Sequence, residues 1–414
     1  MPKLYSLREH FQILDRHLSQ QRDFWQLRPF ANRELPWHTY PALRVWLEQL
    51  DLEACAALEQ DDRARAAALA PFIDCATDLP RLCNLPEAAL RAPSQPQTAH
   101  PARLSYHIPG RKWAQIDAFD RALQPAGNEL LEWCAGKGHL GRLLAYRRQQ
   151  PVTSLEWQHD LCTHGQQLAD SLQLPCRMQQ QDVLQPEAAT WLGPQQHAVA
   201  LHACGKLHQR LLTLGTERQL QAISLSPCCY HLIDDEQYQP LSDTVRQSSL
   251  RLSKQDLKLA LQDTVTAGAR ERRLRQRELA WRLGFDLLQR DLRGEDNYLP
   301  CPTAPKSLLS GTFSTFCQWS AERKHLLLPA DVDFSRYEAA GQARIIDVTR
   351  MELVRNLFRR PLELWLVLDR ALYLEERGYQ VTLSEFCDYQ LTPRNLLIQG
   401  VRDDAPSSDA VHAQ

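Results

Sequence analysis

The chain lacks any apolar run near the roughly 18 residues needed to cross a bilayer. Its opening stretch, MPKLYSLREHFQILDRHLSQ, has no apolar signal core. Both absences predict a cytoplasmic protein with no membrane partner. It lacks a charge excess as well: 48 Lys and Arg against 50 Asp and Glu leave a net charge of −2. No global field therefore draws nucleic acid, DNA is not expected as a partner, and any polyanion must be met by a local patch. Among twelve cysteines there is no C-x-x-C pair. Without an export signal, free thiols are expected rather than a disulfide framework. No internal repeat is visible.

What is present is two kinds of patterning. Residues 1–100 carry apolar residues at three- and four-residue spacing, as in YPALRVWLEQL, and predict a helical N-terminal region. RAPSQPQTAHPARL (91–104) reads as a linker. From there, short apolar runs alternate with helix-sized segments: NELLEWC, PVTSLEWQ, PCRMQQQDVL, HAVALHAC and QAISLSPCC. That rhythm predicts a parallel sheet of βαβ units within 105–232. A final pair, YQVTLSEFC and RNLLIQGV, reads as a hairpin completing the same sheet, so the α/β domain resumes over 346–404. Residues 233–345 would then be a helical, arginine-rich insertion, and 405–414 a loose tail.

The stretch LLEWCAGKGHLGRL (130–143) is a strand, a tight turn and a helix start. Gly136, Gly138 and Gly141 fit the dinucleotide pattern G-x-G-x-x-G. A P-loop is excluded, because Arg142 and Leu143 follow Gly141 where Lys and Ser/Thr are required. The acidic Glu132 just ahead of the turn opposes a pyrophosphate. It suits the ammonium and sulfonium of S-adenosylmethionine, and Glu132, Cys134, Gly136 and Gly138 follow the D/E-x-G-x-G-x-G pattern of methyltransferases with cysteine at the first glycine. Glu156, at the end of the second strand, is placed to accept ribose hydroxyls, and Asp182, after the third, to meet an adenine amino group. An NAD(P)-dependent oxidoreductase shares the ribose acid and stays as an alternative.

EWCAGKGHLGR, LHACGKL (201–207) and SPCCYH (226–231) together resemble the S-adenosylmethionine-dependent methyltransferase family that includes eukaryotic methyltransferase-like proteins and the glutathione-S-transferase C-terminal-domain-containing protein. The acceptor-stem tRNA ribose methyltransferases are more distant relatives. TPRN (392–395) is similar to the family's closing hairpin. The resemblance covers roughly 105–232 and 375–401. It implies a Rossmann-like seven-stranded sheet with a closing antiparallel hairpin and S-adenosyl-L-methionine as cofactor.

Methyl transfer to N–H or O–H needs a positioned acceptor and a proton sink. His231 is the candidate base, Tyr230 the candidate to stack on a base or orient the acceptor, and Cys204 to line the methyl pocket. His202 is assigned to the cofactor side. The fourth strand ends in HACG, which is neither the N/D-P-P-Y of base amino-group methyltransferases nor the aspartate of Lys-Asp-Lys-Glu ribose methyltransferases. Cys228, Cys229 and His231, with Cys204 and Cys301 or Cys317, are a candidate set for a zinc or iron–sulfur centre, but adjacent cysteines do not have structural-zinc spacing, so free thiols and no metal are the expectation. Arg270, Arg273 and Arg277 share a helical face, with Arg272, Arg275 and Arg282 adding charge and Trp281 an aromatic plane. RNA is therefore the first expected acceptor and protein the second. A non-catalytic RNA-binding protein on the same scaffold is the other alternative.

Overall fold

The computed structural model describes residues 5–90, 102–124, 126–261, 269–301 and 303–402, with the side chains of 102 and 269–272 excluded. The linker proposed for 91–104 falls almost wholly outside these residues, as does the tail. Among the described residues, no helix is long and apolar enough to cross a membrane.

Seven strands form one sheet: β1 (Glu129–Trp133), β2 (Val152–Glu156), β3 (Cys176–Gln180), β4 (Gln196–Cys204), β5 (Ala222–Cys228), β6 (Tyr379–Glu385) and β7 (Leu396–Arg402). Their order is β3-β2-β1-β4-β5-β7-β6. β1 to β5 pair in parallel, while β7 runs antiparallel to both β5 and β6. The expected Rossmann-like sheet with its closing hairpin is thus present. A parallel sheet is covered on both faces, which is why β5 can read AISLSPC with every residue buried. The helices Gly110–Ala122 and His139–Arg148 supply Ile116, Phe119, Leu140, Leu143 and Leu144 to a core against Leu130 and Val199.

The chain divides into two compact units, at different boundaries from the sequence reading. One comprises residues 1–19, 82–262 and 360–414, and contains the sheet; the other comprises 20–81 and 263–359 and is helical. Most of the N-terminal region and the insertion therefore build one unit together, and residues 233–262 belong with the sheet. Arginines on one helix explain the joining within the helical unit. From the helix Phe334–Asn356, Arg344 donates to the carbonyls of Phe30 (3.2 Å) and Asn32 (3.1 Å), Arg350 to that of Leu50 (2.8 Å), and Arg355 to that of Trp25 (3.2 Å). These bonds span some three hundred residues, and no local pattern announces them.

The predicted arginine face is altered by the same packing. Trp281 is buried, and its indole N–H donates to Glu338 at 2.9 Å, so it presents no free plane. Arg282 pairs with Glu278 at 2.8 Å and also donates to the Cys301 carbonyl at 2.9 Å. Arg273, Arg275 and Arg277 are exposed, although Arg277 donates to the Leu309 carbonyl at 3.0 Å and covers the Trp281 ring. The side chains of Arg270 and Arg272 lie outside the described residues.

Candidate active site

The carboxyl ends of β1, β2, β4 and β5 carry the residues singled out in the sequence. The β1 turn wraps over the end of β2, with Ala135 N–H donating to the Leu155 carbonyl at 2.9 Å. Cys134 has φ 57°, a left-handed conformation that L side chains enter only at a cost. That is the position where the family pattern has glycine. The Glu156 carboxylate, 6% exposed, accepts Gly136 N–H at 2.8 Å and Gln158 N–H at 3.0 Å. Each carboxylate oxygen keeps a further lone-pair site for a ligand hydroxyl. The sequence missed the neighbour Trp157, which is 65% exposed and so stands ready to stack on a planar ring.

Glu132 is the main correction. The sequence placed it against a cationic ligand, but the structure buries it beneath the glycine turn at 4% exposure. One oxygen accepts Gly141 N–H at 3.0 Å and Ser154 Oγ–H at 2.7 Å. A Cβ on Gly141 would sit 2.5 Å from both Glu132 Oε2 and Ser154 Oγ, so this glycine is needed for close approach rather than for a ligand. Burial pushes the Glu132 carboxyl up to about 7, against the opposing pull of Ser154, Gly141 and Arg142. Its role is to brace the turn.

That shift predicts a pH dependence. The folded protein holds the proton more tightly than the unfolded chain, whose value is near 4.5. The associated stability is complete below pH 4.5 and is lost as pH rises through about 7, in total on the order of 3 kcal/mol. Urea midpoints measured between pH 5 and pH 8 should fall for the native chain, while Glu132→Gln should show a flatter profile. Equal slopes would mean that the carboxyl titrates normally.

Asp182 is exposed. It caps its own turn, accepting Leu184 N–H at 3.0 Å and the Gln185 side-chain amide at 3.2 Å. His202 sits in a bulge near the end of β4, where pairing shifts from Leu201↔Ser226 to Cys204↔Cys228. Its φ is 64°. Gln115 donates its amide N–H to the Leu391 carbonyl at 3.1 Å, which turns Gln115 Oε1 toward His202 Nε2 at 3.3 Å. His202 Nε2 is therefore the protonated nitrogen. Among the described residues Nδ1 has no partner and is left as a buried acceptor. Burial, helped by Arg394, holds this histidine down at about 4, so it is neutral at pH 7. Gln115 carries no motif, and nothing in the sequence marks it.

The LHACGKL and SPCCYH segments interlock. Gly205 N–H donates to the Cys228 carbonyl at 2.9 Å, Lys206 N–H to that of Leu232 at 3.0 Å, and Leu232 N–H to that of Cys229 at 2.9 Å. A Cβ on Gly205 would meet Leu232 O at 2.3 Å. Tyr230, offered as a stacking residue, is fully buried, packed edge-on against His208 and under the Arg370 guanidinium at 5.0 Å. It is part of the support and cannot reach an acceptor. His231 is half-buried, and Nδ1 has no partner among the described residues. Burial lowers its pKa, although the charge of a Cys229 thiolate pulls the other way, so it is a neutral proton acceptor at pH 7. Cys204 lies 3.5 Å from Cys228, sulfur to sulfur, and Cys229 joins them. Donation from the two neighbouring thiols pulls Cys229 down, while hydrogen bonds with Cys204 and Cys229, and then burial, push Cys228 up.

A methyltransferase-domain family matches residues 111–236. The matched stretch holds the glycine turn, β1 to β5 and the thiol cluster. No curated protein matches the chain. Among solved structures, the geranyl diphosphate C-methyltransferase from Streptomyces coelicolor A3(2) is 15% identical, with 34% of this chain and 54% of that chain covered at a TM-score of 0.26. A geranyl diphosphate methyltransferase solved with sinefungin is 14% identical over 28% of this chain and 44% of that chain, TM-score 0.25. A rRNA methylase from Streptococcus thermophilus is 13% identical over 29% and 73%, TM-score 0.22. The chain spans about half the length of the two geranyl diphosphate enzymes.

Proposed function

We propose that the sheet unit is an S-adenosylmethionine-dependent methyltransferase acting first on RNA. The observation that carries this is the antiparallel β7 between β5 and β6. Dinucleotide-binding sheets run 3-2-1-4-5-6 in parallel, so the oxidoreductase alternative loses its scaffold. The residues fit the nucleoside. Glu156 has acceptor sites left for two ribose hydroxyls, Trp157 offers an exposed indole, and His202 Nδ1 is a buried acceptor with no donor among the described residues. Among the described residues nothing lies within 4 Å of where a Cβ on Gly136 would be, which leaves room for backbone approach. The nucleoside would supply a methyl group on a sulfonium. The chain's part is to orient the acceptor and take its proton, and His231 is the base by position and protonation state. Exposed Arg273, Arg275 and Arg277 support a phosphate-bearing acceptor.

Calorimetric titration with S-adenosylmethionine, S-adenosylhomocysteine and NADH is the first test. Binding of the two sulfur nucleosides alone is expected, followed by tritium-methyl incorporation into RNA rather than protein pools. No nucleoside binding by folded protein would leave only a scaffold that binds RNA. His231→Ala should lower turnover roughly a hundredfold with cofactor affinity unchanged. An unchanged rate would remove His231 as base.

A further inference from the structure

We propose that Cys204, Cys228 and Cys229 form a three-thiolate site for one zinc ion, with the fourth coordination position open. The three sulfurs lie within 4.8 Å of one another, and Cys204 and Cys228 are 3.5 Å apart. A zinc–sulfur bond of about 2.3 Å in tetrahedral geometry sets sulfurs roughly 3.8 Å apart. The cluster needs only small adjustments to reach that spacing.

Three backbone features build it. The β4 bulge inserts one residue between Leu201 and Cys204 and pairs Cys204 directly with Cys228. Cys229 then turns through φ 50°, which brings an adjacent cysteine into the same cluster where an extended strand would send it to the opposite face. Gly205, at φ 50°, lets the next turn close over the strand ends. The thiols' other contacts are long: Cys204 to the His202 carbonyl at 3.6 Å and Cys228 to the Ala203 carbonyl at 3.8 Å. Such contacts explain little of why three thiols converge.

Ligand type selects the ion. Three soft sulfur donors without oxygen favour zinc over magnesium, calcium or manganese. Sulfurs this close to one another suit one ion shared by all three. Among the described residues no other His, Cys, Asp or Glu joins the group. Three protein ligands and a free position are the arrangement of zinc sites that take a water or a substrate atom. The open position lies at the strand ends that the proposed function gives to the acceptor.

The test uses the full chain, reduced and stripped with a chelator. Zinc is titrated in competition with a chromophoric chelator, and cobalt(II) is followed by its absorption. One equivalent of zinc is expected, with cobalt–thiolate charge-transfer bands. Cys204→Ser, Cys228→Ser and Cys229→Ser should each lose that equivalent, while Cys176→Ser and Cys387→Ser keep it. Near-ultraviolet circular dichroism reports that each variant is folded. No zinc uptake by folded, reduced protein would overturn the proposal, as would uptake that survives the triple substitution, a clear preference for copper(I), or a Cys204–Cys228 disulfide in protein prepared without oxidant. Nucleoside calorimetry on the same samples separates the two readings: lost nucleoside binding with zinc retained counts against the methyltransferase alone, and the reverse counts against the metal alone.

Discussion

Replacing Glu156 with alanine is expected to weaken S-adenosylmethionine binding by roughly a hundredfold to a thousandfold. A hydrogen bond to an ionised carboxylate contributes about 1.5–3 kcal/mol, and in the proposed function two ribose hydroxyls reach this one group. With each bond near the lower end of that range, the loss of both is roughly 3–4 kcal/mol. The same carboxylate also holds Gly136 N–H and Gln158 N–H, so alanine slackens the turn as well as removing the ribose contact. Glu156→Gln separates the effects, because its carbonyl oxygen keeps one acceptor. Its loss should fall between the native chain and alanine. Titration of S-adenosylhomocysteine and adenosine checks the origin: both carry the ribose, so both should weaken in parallel. An affinity within about threefold of native for Glu156→Ala would place the ribose elsewhere and undo the assignment of the β2 acid.

The second large effect is on stability. Arg370 is fully buried in the helix Arg359–Glu375. It donates to His208 Nε2 at 2.9 Å, to the Tyr238 hydroxyl at 2.7 Å and to the Leu366 carbonyl at 2.6 Å. Asp369, also fully buried, accepts Tyr238 O–H, Leu241 N–H (2.9 Å) and both Ser242 N–H and O–H (2.8 Å each). His208 is kept neutral by burial and by Arg370, and its Nδ1–H donates to the Ala203 carbonyl at 2.9 Å. One arginine thus links the end of β4, the SPCCYH turn and residues 238–242.

Arg370→Met should cost about 3–5 kcal/mol, because it leaves the Asp369 charge buried beside fewer compensating groups. Hydrogen exchange of the 238–245 amides assigns the loss to the sheet unit, and urea unfolding gives its size. A loss below about 1 kcal/mol would mean that Asp369 is satisfied by its four donors alone.

Local pattern carried most of the sheet. Strands such as β1 and β5 are short, mostly apolar runs bounded by helix-sized segments, and period and length are written along the chain. The glycine turn and Glu156 were legible for the same reason, since both lie at strand ends a fixed distance apart. Orientation was not legible. Glu132 is in the expected place yet points under the turn, because Gly141 and Ser154 offer it donors there. Tyr230 follows two cysteines at the sheet edge yet turns inward to Arg370.

By itself, then, the sequence determined the parallel sheet, its closing hairpin, the turn over β2 and the acid beside it, because these follow from short-range periodicity and backbone preference. Only the tertiary structure decided three things: that residues 20–81 and 263–359 make one unit, that Trp281 is a core residue, and that three cysteines meet. Each depends on contacts between distant segments or on a single-residue bulge. A one-residue shift in a strand changes which side chains face each other, and that shift leaves no mark in the pattern of residue types.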